Sequence, residues 1–490
     1  MKRLLFTVVL TALMGGLCAQ RVSVAKDEWQ ELPKETKKQF TINEIVGTYG
    51  DGYVVMLTKK KKSLPCYAIV DKNLNVLRYA ECPYAMVEKS SYAYICGDTL
   101  HCIQLVPRQL VHSCCDLRQM VFGTPEVLSE MKMLDASKQG RFSTSLVNFD
   151  EMQVRLSPNR KYLAILSRTK EEMTGYSYCS NLMLYDNKMK QLARKDSIDA
   201  FLVRYEDGVD NVYPQRKYSV DFNVNDDGLV SLIRTYNERL GTKDKPEGSQ
   251  FAIHLLSTGG FRSFELGSVT ESSIMSNLHI LEANNQSVMF LGCIALPMTE
   301  GNYGINGVWT FNFNISEGSI EKRSFKAFEN SIRNANEVMR NVFIRQNIPS
   351  KLWRLNDGYL FRIIKSTKQQ DCPNCPIEYN VISKKIGIDK NGVITNASEL
   401  SGKSSRTGLF EFMYSRVIDN KLYYFYENRD EIMVEDYNCH VDTQNIQFAP
   451  FADGFPTKKD VYHTLFYENV MLMLDNKGRF CFGTIDYNAE

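Results

Sequence analysis

Tyr218-Ser-Val-Asp-Phe-Asn-Val-Asn225 sets Tyr218, Val220, Phe222 and Val224 on one side of an extended chain and Ser219, Asp221, Asn223 and Asn225 on the other. A two-residue period belongs to a strand with one face buried, because successive side chains of a strand point to opposite sides. Short apolar or aromatic runs of strand character recur on both sides of it, at Tyr53–Leu57, Tyr162–Leu166, Leu229–Ile233, Val288–Leu291, Tyr359–Ile364, Leu422–Tyr426 and Val470–Leu474. The longest interval, between the first two, is filled by Tyr92–Ile95 and Cys102–Leu105.

A second element recurs with these runs, a strand, a polar turn and another strand. It is found around Asp71-Lys-Asn73, Asp186-Asn-Lys188, Thr258-Gly-Gly260, Ser316-Glu-Gly318, Asp389-Lys-Asn-Gly392 and Asp475-Asn-Lys-Gly478. Gly and Asn at such tips supply the positive φ of tight hairpins. An apolar strand, an insertion of variable length and a polar-tipped hairpin thus repeat every 45 to 75 residues or so, the pattern of four-stranded sheets stacked side by side. The expected fold is all-β, a single β-propeller of about seven blades, with six or eight left open by the arithmetic. The roughly 470 residues beyond position 19 give about 67 per blade, against about 40–50 in compact blade families, so extended loops are expected. Two segments read as short helices in loops: Thr124-Pro125 followed by Val127, Met131 and Leu134, and Ile332, Ala335, Val338, Met339 and Val342 before Pro349.

At Leu156-Ser-Pro-Asn-Arg-Lys-Tyr-Leu-Ala-Ile-Leu-Ser167 the chain resembles a recurring segment of secreted and periplasmic β-propellers, those of prolyl-oligopeptidase-type peptidases and Tol-system proteins. Asn223-Val-Asn-Asp-Asp-Gly-Leu-Val230 is a looser copy. The resemblance covers about 20 residues and implies fold class only. The peptidases carry a hydrolase domain with a G-x-S-x-G nucleophile elbow; here Gly175-Tyr-Ser-Tyr-Cys179 fails at its last position, and no α/β segment of the required length remains.

The first residues set the expected compartment. Lys2 and Arg3 precede an apolar run from Leu4 to Leu17 and then Cys18-Ala19-Gln20, the layout of a secretory signal peptide. Residues 1–19 are read as the signal, 20–44 as a charged lead-in and 45–490 as the propeller domain. Cleavage after Ala19 is expected. A lipid anchor on Cys18 is the alternative, disfavoured because Leu17 stands where such signals carry Gly or Ala. No later run approaches the roughly 20 apolar residues of a membrane span.

Loss of residues 1–19 would leave 57 basic and 57 acidic residues, so the excess positive charge of a dedicated nucleic-acid binder is missing. It would also leave twelve of the 13 cysteines, too sparse for a disulfide scaffold; several, Cys293 among them, read as buried thiols in strands. Cys372-Pro-Asn-Cys375 is the one C-x-x-C pair and reads as a local loop disulfide or two inert thiols, since zinc would require a second pair.

Other motifs fail on their surroundings. Ala397–Ser404 fits a permissive P-loop pattern, yet a strand-like segment follows where a helix is needed. Asp221-x-Asn223-x-Asn225 imitates a calcium loop, but Asp226 and Leu232 stand where Gly and Glu are required; only a different kind of calcium site near Asp226 and Asp227 is left open. The six histidines show no metal-binding spacing, and His254 reads as a strand residue with a satisfied partner. No cofactor, metal or catalytic residue is nominated. Among the aromatics, Trp309, Trp353, Tyr424 and Tyr426 are the candidates for binding a sugar ring or an apolar peptide side chain, with packing between blades as the competing reading. The expected function is an exported cell-envelope module binding a protein or a glycan. A secreted glycan- or ester-active hydrolase, with acidic residues at the channel mouth, is the alternative.

Overall fold

The computed structural model describes residues 21–26, 29–59, 65–84, 91–106, 109–130, 152–173, 175–198, 202–203, 218–237, 249–268, 274–297, 303–333, 350–369, 378–404, 412–418, 420–426, 431–435, 441–445, 461–475 and 477–489. These residues form eight antiparallel sheets of four or five strands. In the four-stranded sheets each strand pairs with the one before it, the meander of a propeller blade. The fold class is therefore all-β, as the alternating pattern requires. Among the described residues no helix is long and apolar enough to cross a membrane.

The chain divides into two compact units. The first comprises Met1–Glu81, Pro376–Glu378 and Ser404–Glu490, and the second Cys82–Cys375 and Tyr379–Lys403. In the first unit, strands Val461–Tyr467, Val470–Asp475 and Arg479–Ala489 are completed by Arg21–Lys26, which pairs antiparallel with Arg479–Ala489. Residues from both ends of the chain thus share one sheet. Gln30–Glu31 pairs with the same C-terminal strand, Lys34–Gln39 is a short helix, and Phe40–Tyr49 opens the next sheet, so the stretch 20–44 contributes regular structure. Phe40, Ile42, Val55, Leu57, Leu472 and Phe480 belong to one buried cluster of this unit.

The second unit holds five sheets, spanning residues 91–130, 152–203, 218–268, 274–333 and 350–404. Facing side chains of successive sheets make its core; Phe251, Phe290 and Phe311, for example, cluster between the 218–268 and 274–333 sheets. The recurrent apolar run is the second strand of each sheet. That strand has a hydrogen-bonded neighbour on both edges and buries both faces, as Leu163, Ala164 and Ile165, each fully buried, illustrate.

Four of the polar hairpin tips share one construction. The carboxylate of Asp71 accepts the N–H groups of Asn73 and Asn75, Asp186 those of Lys188 and Lys190, Asp389 those of Asn391 and Val393, and Asp475 those of Lys477 and Arg479. The residue three positions on, Leu74, Met189, Gly392 or Gly478, has φ between 57° and 80°. An Asp side chain that closes its own turn explains why the tips are rich in Asp and Asn.

The first helix expectation needs correction, and the second is described only at its start. Residues Glu126–Glu130 form an edge strand paired with Gln109–Asp116, because the unpaired side of that strand captures the segment despite its capping signal. Ile332 ends the strand Ser319–Arg333, and the rest of the second expected helix lies outside the described residues. Gly402-Lys403-Ser404 lie in the strand Ile394–Ser404, so the phosphate-loop geometry is absent there.

Candidate functional site

Four of the five sheets in the second unit send turns to one cleft of about 420 Å³. The turn after Met152–Leu156 gives Pro158, that after Tyr218–Val224 gives Asn225, Asp226 and Asp227, that after Ile274–Ala283 gives Asn284, and that after Ser350–Arg354 gives Leu355 and Asn356. Glu282, Arg354 and Tyr359 come from the adjoining strand ends, and Lys390 from the Asp389 hairpin.

Local chemistry fixes these turns. Asn225 Oδ1 accepts the N–H of Asp227 at 3.0 Å and of Leu229 at 2.8 Å, while Gly228 takes φ 76°. With Asn225 so occupied, Asp226 and Asp227 are exposed at the tip. Bonds between sheets then set the spacing of the tips. Asn159 N–H donates to Asp226 Oδ1 at 2.8 Å, Asn225 Nδ2 to the Ala283 carbonyl at 3.1 Å, and Arg354 Nη2 to the Leu281 carbonyl at 2.5 Å. Tyr359 Oη donates to Glu282 Oε2 at 3.1 Å. Burial, with Glu282 adding to it, pushes the Tyr359 hydroxyl well above the ordinary value of 10, so it remains a donor near neutral pH.

The lining carries three carboxylates, two cations and four carboxamides, with Pro158, Ala283 and Leu355 as its few apolar members. It can donate and accept hydrogen bonds around a polar ligand. Among the described residues no group of three or more His, Cys, Asp or Glu could hold a metal ion. Asp226, the centre of the calcium reading, is instead bonded to Asn159.

Of the aromatic candidates, Trp309 and Trp353 are not among the residues lining this cleft. Trp353 is 6% exposed, with Lys351 over its ring. Trp309 is half-buried on Tyr303–Asn314, a strand paired on both edges, and is stacked on Phe325 at 4.8 Å with Lys322 over its ring. Tyr424 pairs through its backbone with Ser415 and Met433, and Tyr426 with Phe412, in the first unit. Their side chains are outside the described set, as are Cys372 and Cys375. The described cysteines are free thiols, and burial raises that of Cys293. His254 is buried and bonded to Ser263 at 2.9 Å. The sequence had pointed to Asp226 and Asp227 as an open calcium reading and to the Asp389 hairpin as a turn, but not to Glu282, Arg354 or Tyr359, which only strand pairing brings to them.

No protein-family profile matches the chain, and no curated protein does either. Among solved structures it is similar to the Dos1 propeller at 10% identity, covering 94% of this chain and 95% of that one with a TM-score of 0.39. It is also similar to the polysaccharide lyase Uly1 at 8% identity, covering 86% and 99% with a TM-score of 0.39. A third similarity is to a structure from a study of two prolyl endopeptidases, at 9% identity and a TM-score of 0.35, where 90% of this chain covers 55% of that one. The present chain thus spans about half the length of that peptidase.

Proposed function

We propose that the protein is an exported binding module whose cleft between the sheet turns holds a hydroxyl-rich saccharide. The observation that carries this reading is the set of side chains in the lining: Asn223, Asn225, Asn284, Asn356, Tyr359 and their charged neighbours present donors and acceptors, with few apolar side chains among them. A saccharide offers alternating donor and acceptor hydroxyls and matches such a lining. Export rests on the basic-apolar-small order of residues 1–20. A glycan array probed with the protein lacking residues 1–19 tests the reading. Retention of one glycan class supports it, and an array without signal overturns it.

A second reading is favoured by Asp226, Asp227 and Glu282 sharing the cleft, since paired carboxylates perform glycoside hydrolysis. New reducing ends released from a bound glycan would establish it.

A further inference from the structure

The same first strands that feed the cleft bring together a serine, a histidine and an aspartate distant in sequence. Ser350 opens the strand Ser350–Arg354, His279 lies on Ile274–Ala283 and Asp221 on Tyr218–Val224. Ser350 Oγ is 2.9 Å from His279 Nε2, inside the range of a nucleophile and its base. Asn277 Nδ2 donates to the same oxygen at 2.8 Å. Because Oγ accepts from the amide, its own proton is free to point at Nε2. His279 is then the tautomer protonated on Nδ1, the one in which Nε2 can take up a proton.

The backbone is bent to make this arrangement. The pairing register shifts between Ser276 and His279, and Asn277 has φ 49° and 5% exposure. Non-glycine residues in left-handed backbone carry strain, and bulges commonly re-aim side chains. Here the bulge presents Asn277 and His279 to one oxygen. Phe361 packs against the imidazole with ring centres 5.3 Å apart.

Electrostatics suit a base. Burial holds His279 below its ordinary pKa of 6.5, while the Asp221 carboxylate favours the imidazolium and Arg155 opposes it. Asp221 is itself fixed, its Oδ2 accepting the Ile280 N–H at 2.7 Å. His279 is therefore neutral at pH 7, with a carboxylate nearby to favour the cation that would form during reaction.

We propose that Ser350 is a nucleophile activated by His279, and that the chain cleaves small carboxylic esters at this point. Ser350 Oγ attacks the ester carbonyl carbon while its proton passes to His279 Nε2. Asn277 Nδ2, bonded to Oγ at rest, is a donor within reach of the developing oxyanion. The ester C–O bond breaks, and the leaving alcohol takes the proton from Nε2. Water then attacks the acyl-serine, giving a proton to Nε2 that returns to Oγ as the carboxylic acid leaves. Nothing is oxidised or reduced, and water is the only co-reactant. Asp221, His279 and Ser350 lie two, three and four residues along their strands from Asn223, Glu282 and Arg354, roughly 7–13 Å at about 3.3 Å per residue. The dyad does not depend on what the cleft binds.

The test is labelling of the folded, full-length chain with a fluorophosphonate probe, whose fluoride is displaced by an activated serine, and mapping of the adduct by mass spectrometry. We expect the adduct on Ser350, loss of labelling in Ser350→Ala, and at least a tenfold slower rate in His279→Gln with an unchanged melting temperature. p-Nitrophenyl acetate turnover should fall in parallel. Asp221→Asn should move the acid limb of the labelling rate to lower pH, because Arg155 then acts on the imidazole without the carboxylate; a purely structural Asp221 would leave that limb in place. A wild-type protein with no adduct on Ser350, or one labelled at the same rate in His279→Gln, overturns the proposal. The wild-type map needs no variant, so it decides even if a substitution fails to fold.

Discussion

Asp226 accepts the backbone N–H of Asn159 at 2.8 Å, and this bond ties the first turn of one sheet to the first turn of the sheet before it. Asn159 Nδ2 adds a longer contact to the Asp226 carbonyl at 3.4 Å. The bond joins residues 67 positions apart, and it holds one wall of the cleft at a fixed distance from the next.

Asp226→Ala removes the acceptor and is expected to cost about 0.5–1.5 kcal/mol, the usual range for a single intramolecular hydrogen bond. Asp226→Asn keeps an acceptor oxygen and should cost less than half as much. Urea midpoints of the two variants check the order; equal losses would mean that the carboxylate's charge and not its bond matters.

Gly228, in the same turn, packs against the sheet before it. A Cβ added there would lie 3.0 Å from Tyr162 Cε1, and φ is 76°. Gly97 has a similar φ of 60° with open space around it. Gly97→Ala should therefore cost about 1 kcal/mol, for the left-handed backbone alone. Gly228→Ala should cost about 1 kcal/mol more because Tyr162 must move. Thermal unfolding of both variants tests the difference.

How much of this was legible beforehand follows from where the signals reside. Tyr162–Leu166 and Val288–Leu291 are readable because a second strand buries both faces and needs apolar residues at every position. Asp389 and Asp475 are readable because a self-closing turn demands Asp or Asn. Cys102–Leu105 was read as filling a long interval, yet it belongs to the second strand of a sheet of its own, Thr99–Val106. Thr124-Pro125 was misread because pairing with Gln109–Asp116 outweighs a local capping signal. For Trp353 the sequence leaves binding and packing as competing readings, because composition does not reveal which side of a strand meets the next sheet; the ring is 6% exposed. The His279–Ser350 and Tyr359–Glu282 contacts span 71 and 77 positions, and only the stacking of sheets creates them.

Asp475 predicts acid sensitivity in the first unit. Burial alone would raise its carboxyl, but the backbone and side chain of Arg479 and the Lys477 N–H together hold it below the ordinary 3.8. A depressed carboxylate contributes stability above its unfolded pKa and loses it as pH falls through the folded one. Asp475→Asn should therefore be less stable than wild type at pH 7, with the two melting curves converging below about pH 4. A constant gap down to pH 2 would contradict this.

The buried pair His101–His112 makes a second pH test, of the same sign, in the second unit. The rings stack 5.3 Å apart, and His101 Nδ1 lies 3.0 Å from His112 Nε2, so the pair shares one proton between those nitrogens. Tyr94 stacks on His101, and Glu126 lies 4.0 Å from His112. Burial, with His101 adding to it, pushes His112 down to about 4; burial also lowers His101, with Asp186 opposing. Between the ordinary 6.5 and about 4 the unfolded chain binds a proton that the folded chain refuses, so stability should fall as pH drops through that window. His112→Gln keeps a hydrogen-bonding partner without titrating and should flatten the slope. Melting temperatures from pH 7.5 to 4.5 check it, and parallel curves would contradict it.

The most direct test of the proposed function is calorimetric titration of an array-selected oligosaccharide into wild type, Asn356→Ala, Glu282→Gln and Trp309→Ala. The cleft account predicts that the Asn356 and Glu282 variants weaken binding by about tenfold or more, equal to about 1.4 kcal/mol, while the Trp309 variant binds as wild type. Full affinity in both cleft variants, with binding lost only in Trp309→Ala, would contradict it and place the ligand on the Trp309–Phe325 stack.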